Sequence, residues 1–99
     1  MNTILKRITT ECHNFLEENL DKNDKYFDRK IGKYEIYYSS KTKRICHYYY
    51  GHKIFVVDLV QRKITYNYCG YTKSRITKAQ INFLLKFYEY LDFIVFEAR

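Results

Sequence analysis

Four runs decide the fold: Tyr34-Glu35-Ile36-Tyr37-Tyr38-Ser39, Arg44-Ile45-Cys46-His47-Tyr48-Tyr49-Tyr50, Lys53-Ile54-Phe55-Val56-Val57-Asp58-Leu59-Val60 and Lys63-Ile64-Thr65-Tyr66-Asn67-Tyr68-Cys69. In the first, Tyr34, Ile36 and Tyr38 alternate with Glu35, Tyr37 and Ser39, the period of two that marks a strand with unlike faces. The second is rich in aromatic residues, and the fourth puts Ile64, Tyr66 and Tyr68 on one face. In the third, Phe55, Val57 and Leu59 alternate with Ile54, Val56 and Asp58, so both sides are largely apolar and the strand is central. Ser40-Lys41-Thr42-Lys43, Gly51-His52 and Gln61-Arg62 separate the runs. Connections this short predict a four-stranded antiparallel meander over 34–69.

Upstream, Leu5, Ile8, Cys12, Phe15, Leu16 and Leu20 recur at helical spacing opposite Lys6, Arg7, Glu11, Asn14, Glu17 and Glu18, which predicts an amphipathic helix over 3–20. Asp21-Lys22-Asn23-Asp24-Lys25 opens a polar linker assigned to 21–33. Downstream, 70–77 reads as a basic loop, and Thr77-Lys78-Ala79-Gln80 fits a capping box that starts a helix over 78–95. That helix carries Ile81, Leu84, Leu85, Tyr88 and Leu91 on one stripe and Phe83, Phe87, Tyr90 and Ile94 on a second. Two apolar stripes need two covers. The sheet is one, and either the N-terminal helix or a second copy of the chain is the other, the latter giving a homodimer through this helix. The tail Phe93-Ile94-Val95-Phe96 also fits a short final edge strand. The expected architecture is a single α+β domain of two layers.

The 99 residues suit one domain, and with 46% hydrophobic residues they suffice for a core. Met1 to Arg7 turns polar at once, so no secretion signal is expected, and no run approaches the length of a spanning helix. Cys12, Cys46 and Cys69 lie in apolar-patterned segments; an odd number so placed predicts reduced core thiols and a cytoplasmic protein. Lys, Ile, Tyr, Phe and Asn crowd the sequence, which points to an AT-rich genome such as many viruses and mobile elements carry.

The net charge of +7 is unevenly spread, with −2 over 1–28, +11 over 29–86 and −2 over 87–99. Basic side chains interleaved with tyrosines suit nucleic acid, since charge tracks phosphate and aromatic faces accept unstacked bases. The same charges also keep edge strands soluble, and tyrosine is a good strand former. The candidate binding residues on the meander are Lys41, Lys43, Arg44, Tyr48 and Tyr50. A second group, Lys73, Ser74, Arg75, Thr77 and Lys78, brings bases and hydroxyls to a helix start, where amides and dipole favour an anion.

Catalytic signatures are lacking. Cys12-His13, Cys46-His47, His52 and Cys69 have no metal-ligand spacing, and adjacent side chains diverge on helix and strand alike. Core cysteines and surface histidines are expected, with no metal site. No glycine pattern for a nucleotide cofactor occurs, no cysteine sits in a nucleophile signature, and no catalytic residue is assigned.

Gly70-Tyr71-Thr72-Lys73-Ser74-Arg75-Ile76-Thr77, following a strand and leading into a helix near Ile81, resembles small uncharacterised proteins of bacteriophages and mobile elements; the resemblance covers about 34–85. Those proteins have a histidine near the start of the helix, where this chain has Ala79 or Gln80, and they imply no established function. The reading that results is a non-catalytic accessory protein of viral type that binds nucleic acid. By fold analogy, a meander followed by a dimerising helix is one way single-strand-binding proteins are built. The alternative is an inhibitor or adaptor that docks on a host protein through Tyr37, Tyr48, Tyr50 and Arg44, since Tyr and Arg are common interface anchors.

Overall fold

In the computed structural model, which describes residues 3–70 and 74–98, the chain runs from helix α1 (Thr3–Asn19) into strands β1 (Tyr26–Ile31), β2 (Tyr34–Ser39), β3 (Arg44–Tyr49), β4 (His52–Asp58) and β5 (Lys63–Tyr66). Helix α2 (Arg75–Phe87), a 3-10 turn (Glu89–Leu91) and strand β6 (Ile94–Glu97) complete it. One sheet holds all six strands in sequence order. The first five form an antiparallel meander, and β6 joins β5 in parallel. A parallel neighbour requires a long crossover, which α2 supplies. No helix among the described residues is long and apolar enough to cross a membrane.

The expected four-stranded meander is thus a six-stranded mixed sheet. One added strand, β1, comes from the predicted linker. Its Asp28, Arg29 and Lys30 mask the period of two, yet Phe27 and Ile31 pack against the core while Tyr26, Asp28 and Lys30 are exposed. Charges along an edge strand are the usual guard against further pairing. Gly32, at φ +60, closes the β1–β2 hairpin in a left-handed conformation that glycine adopts without penalty.

The other, β6, comes from the predicted helix 78–95. That helix stops at Phe87, where the Tyr88 amide donates to Leu84 O and Lys86 O. Asp92, with φ 55 and ψ 40, then redirects the chain. Ile94, Val95 and Phe96 are β-branched or aromatic and favour a strand, and the amides of Ile94 and Ala98 extend the ladder to Arg62 O and Tyr66 O. The start of α2 also differs from the expected one. Ser74 is the N-cap, its Oγ accepting from the Thr77 amide at 3.3 Å. Thr77 is therefore the third helical residue, 1% exposed, and Gln80 is buried on the inner face instead of closing a capping box.

Both helices cover the same face of the sheet. Leu5, Ile8, Cys12 and Leu16 of α1, and Ile81, Leu84 and Tyr88 of α2, meet Ile36, Tyr38, Ile45, Phe55, Val57 and Ile64. The second stripe of α2 reaches α1 through His13, whose ring lies edge-on to Phe87 and to Tyr90. In β4 the register slips by one residue: His47 faces Phe55 and Tyr48 faces Lys53, leaving Ile54 as a bulge. Ile54 and Phe55 are consequently both buried, as a bulge allows for two successive side chains.

His47, expected at the surface, lies at the centre of the core. Its Nε2 shares a 2.8 Å hydrogen bond with the Tyr88 hydroxyl, and Tyr88 stacks on Phe55 at 5.7 Å. Burial lowers the His47 pKa from 6.5 to about 3. The folded chain keeps this imidazole neutral where the unfolded chain protonates it. The group leaves stability unchanged above about pH 6.5 and erodes it as pH falls from there toward about 3, by up to ~1.4 kcal/mol per pH unit.

Urea unfolding at pH 7, 6 and 5 is expected to show the midpoint falling with pH. The His47→Phe/Tyr88→Phe pair, which removes both polar partners together, is expected to flatten that fall; an equally steep loss in the double variant would exclude His47 as its source. At the helix start, Ser74→Ala is expected to cost about 1 kcal/mol through the lost cap, read as a lower urea midpoint with an unchanged slope.

Candidate functional site

Because α1 and α2 sit on one face, the other face of the sheet is open. The registers align its side chains in three rows across the strands. One row is Tyr26, Ser39, Arg44, Asp58, Lys63 and Ile94, and the next is Asp28, Tyr37, Cys46, Val56, Thr65 and Phe96. The third is Lys30, Glu35, Tyr48 and Lys53. Tyr26 and Tyr37 stack at 6.5 Å with 28° between their planes, and both are exposed. Between Tyr37, Tyr48, Arg44 and Lys63 the surface dips into a groove of about 430 Å³ whose floor includes Cys46 and Val56.

The electrostatics of this face are less one-sided than the sequence charge. Lys30, Arg44, Lys53 and Lys63 are set against Asp28, Glu35 and Asp58. Asp58 is committed elsewhere. Its Oδ1 accepts from the amides of Gln61 and Val60 at 2.9 and 3.0 Å, and its Oδ2 accepts from Arg44 Nε at 3.1 Å. The Gln61 amide, joined by Arg44, holds this 4% exposed carboxyl below its ordinary pKa against the opposing effect of burial. Asp58 therefore closes the β4–β5 turn and orients Arg44 along the groove. Cys46 is 8% exposed, and burial raises its thiol pKa although Lys53 and Tyr48 pull the other way.

The structure divides the sequence-predicted residues in two. Arg44 and Tyr48 lie on the open face, with Lys41 and Lys43 in the β2–β3 turn at its rim. Tyr50, Ser74 and Thr77 gather at the opposite end of the sheet, where they line one cleft with Lys33. Arg75 and Lys78 are exposed on α2. Lys73 lies outside the described residues. Sequence reasoning missed Lys53 and Lys63 as members of the face. Plain alternation groups Lys53 with Phe55 and Val57, and only the bulge at Ile54 returns it to the open side. Lys63 was legible, because it falls out of phase with Ile64 and Tyr66.

Cys12 and His47 are not poised as a thiolate and its base. Cys12 is buried in the core, where desolvation pushes its thiol up to about 12, and His47 is buried and neutral. A nucleophile requires thiolate and a base near the ambient pH, and these shifts oppose both. Among the described residues, no three His, Cys, Asp or Glu side chains are grouped to hold a metal ion. The chain matches no protein-family model, no curated protein and no solved structure.

Proposed function

We propose that the chain binds single-stranded nucleic acid on the open face of its sheet. The observation that carries this reading is the aligned display of Tyr26, Tyr37, Tyr48 and Phe96 among Lys30, Arg44, Lys53 and Lys63 on a face that no helix covers. Unstacked bases pack on aromatic rings while their phosphates meet the flanking cations. A duplex keeps its bases inside and offers these rings nothing to stack on. Six strands at roughly 4.8 Å spacing make a platform wide enough for several nucleotides. The near balance of charge favours modest affinity in which stacking carries a large share.

A second reading, a protein-binding module, is favoured by one feature. Edge strand β6 exposes Ile94 at 75%, Val95 at 45% and Phe96 at 43%, and an apolar edge with unpaired backbone groups accepts an added strand from a protein partner.

Anisotropy with a labelled single-stranded oligonucleotide separates the two. Affinity is expected to fall by about 0.7 log unit per log of salt for each phosphate neutralised. Tyr37→Ala is expected to weaken binding about tenfold, in keeping with ~1–3 kcal/mol per stacked base. Lys53→Glu/Lys63→Glu is expected to lower both affinity and salt slope, and Lys86→Glu, on the far side of the molecule, to change neither. Binding that is absent at low salt, or indifferent to Tyr37→Ala, rejects the nucleic-acid reading and leaves the protein-binding one.

A further inference from the structure

Strand β6 is the last in the sheet, and no strand among the described residues pairs with its outer edge. We propose that this edge is a homodimer interface, in which β6 of a second copy pairs antiparallel with it about a two-fold axis through Val95.

The two edges of the sheet are built differently. β1 displays Asp28, Arg29 and Lys30, all exposed, the kind of charge that keeps an edge from pairing. β6 displays Ile94, Val95 and Phe96, which are largely exposed and carry no charge, and its register with β5 runs without a bulge. The amides of Ile94 and Ala98 donate inward, to Arg62 O and Tyr66 O. Alternation along the strand therefore turns the N–H and C=O of Val95 and Glu97 toward the free edge. A regular apolar edge of this kind is a template for a further strand.

A second copy fits because β6 is complementary to itself. Hydrogen-bonded antiparallel pairs exchange both N–H···O bonds, so residues turned outward must oppose residues turned outward. With Val95 opposite its own counterpart, Ile94 opposes Phe96 of the second copy and Glu97 opposes Phe93, and symmetry repeats each contact. Ile94 and Phe96 thus meet on the open face. Val95 meets Val95 on the helix side, beside a recess of about 430 Å³ between α2 and β6 whose apolar lining includes Ile64, Leu85 and Phe93. Charge agrees with this register. Arg62 lies over the Phe93 ring at 5.3 Å, so each Glu97 carboxylate comes beside the Arg62 guanidinium of the other copy. Within its own chain, Glu97 is exposed and has no ion pair among the described residues. Sliding the copies by two residues either way sets Val95 against Glu97 or Phe96 against Asp92, an apolar group opposite a carboxylate.

The two-fold axis is normal to the sheet, so the helices of both copies lie on one side and both open faces on the other. Two six-stranded sheets become one, and the row of Arg44, Asp58, Lys63 and Ile94 continues into Phe96 and Thr65 of the second copy. An isologous contact uses the same patch on both copies and closes on itself. The edges left over are the charged β1 strands, so assembly stops at the dimer. The pairing does not rest on the nucleic-acid reading and is measured without any oligonucleotide.

Sedimentation equilibrium and amide hydrogen exchange test it. The chain is expected to sediment at twice its monomer mass, with the outward amides of Val95 and Glu97 protected from exchange. Val95→Lys, at an exposed position, is expected to give a monomer with the circular dichroism spectrum of the wild type. Glu97→Arg is expected to weaken association about fivefold, two symmetry-related surface pairs being lost, and adding Arg62→Glu to restore it. The register is read in a Cys69→Ser chain under mild oxidation. There Val95→Cys is expected to form an intermolecular disulfide, because the Cα atoms of a hydrogen-bonded antiparallel pair lie about 5.5 Å apart. Ile94→Cys, whose counterpart lies beyond that reach, is expected to stay reduced. A chain that sediments as a monomer at every concentration leaves the edge to a strand of another protein and overturns the proposal. A dimer that survives Val95→Lys undiminished overturns it as well.

Discussion

The 2.8 Å hydrogen bond between His47 and Tyr88, closed inside the core, ties the last turn of α2 to the middle of the sheet. Tyr88 is 3% exposed, stacks on Phe55 and also ends the helix. With that point fixed, the chain leaves α2 beside β5, and Asp92 turns it so that Ile94–Glu97 pair there. A neutral polar pair in a low-dielectric interior is strong because neither partner has water as an alternative. The same burial makes the pair sensitive to protonation, and the histidine is retained as a core residue at that cost.

The bulge at Ile54 sets which way the first residues of β4 face. Side chains in a strand alternate strictly, so one extra residue reverses the phase of everything beyond it. Here it lets Ile54 and Phe55 both enter the core while Lys53 faces outward opposite Tyr48. The open face owes Lys53, the β4 member of its third row, to this irregularity. Without it Lys53 would be directed toward the helices, and the chain would have to bury an ammonium or abandon the register.

Covering one face only separates the two populations of tyrosine that look alike in the sequence. Tyr38, Tyr49 and Tyr88 are core residues, whereas Tyr26, Tyr37 and Tyr50 are exposed. The basic residues separate similarly. Arg29 pairs with Glu11 of α1 at 3.4 Å, Arg44 is held by Asp58, Arg62 lies over Phe93 and Lys63 over Phe96. The concentration of charge over 29–86 therefore does not make one uniform basic surface. It supplies a mixed face with aromatic platforms, and separately a cation at the α2 cleft.

The sequence by itself determined α1, strands β2 to β5 and their antiparallel order, because periods of 3.6 and two are imposed by whichever face is buried, and short connections leave no other pairing. It also placed Arg44 and Tyr48 on a shared surface and pointed to the start of α2. Only the tertiary structure decided the rest. β1 is held by pairing with β2 and by Phe27 against Phe15 of α1, contacts distant in sequence that override a charged, turn-like composition. The tail 94–97 becomes a strand because β5 offers it an edge, a choice that four residues of local pattern do not encode. Ser74 displaced Thr77 as the cap because the buried stripe Thr77, Gln80, Ile81 and Leu84 sets where the helix meets the sheet, and packing outweighs the preference of any single capping residue.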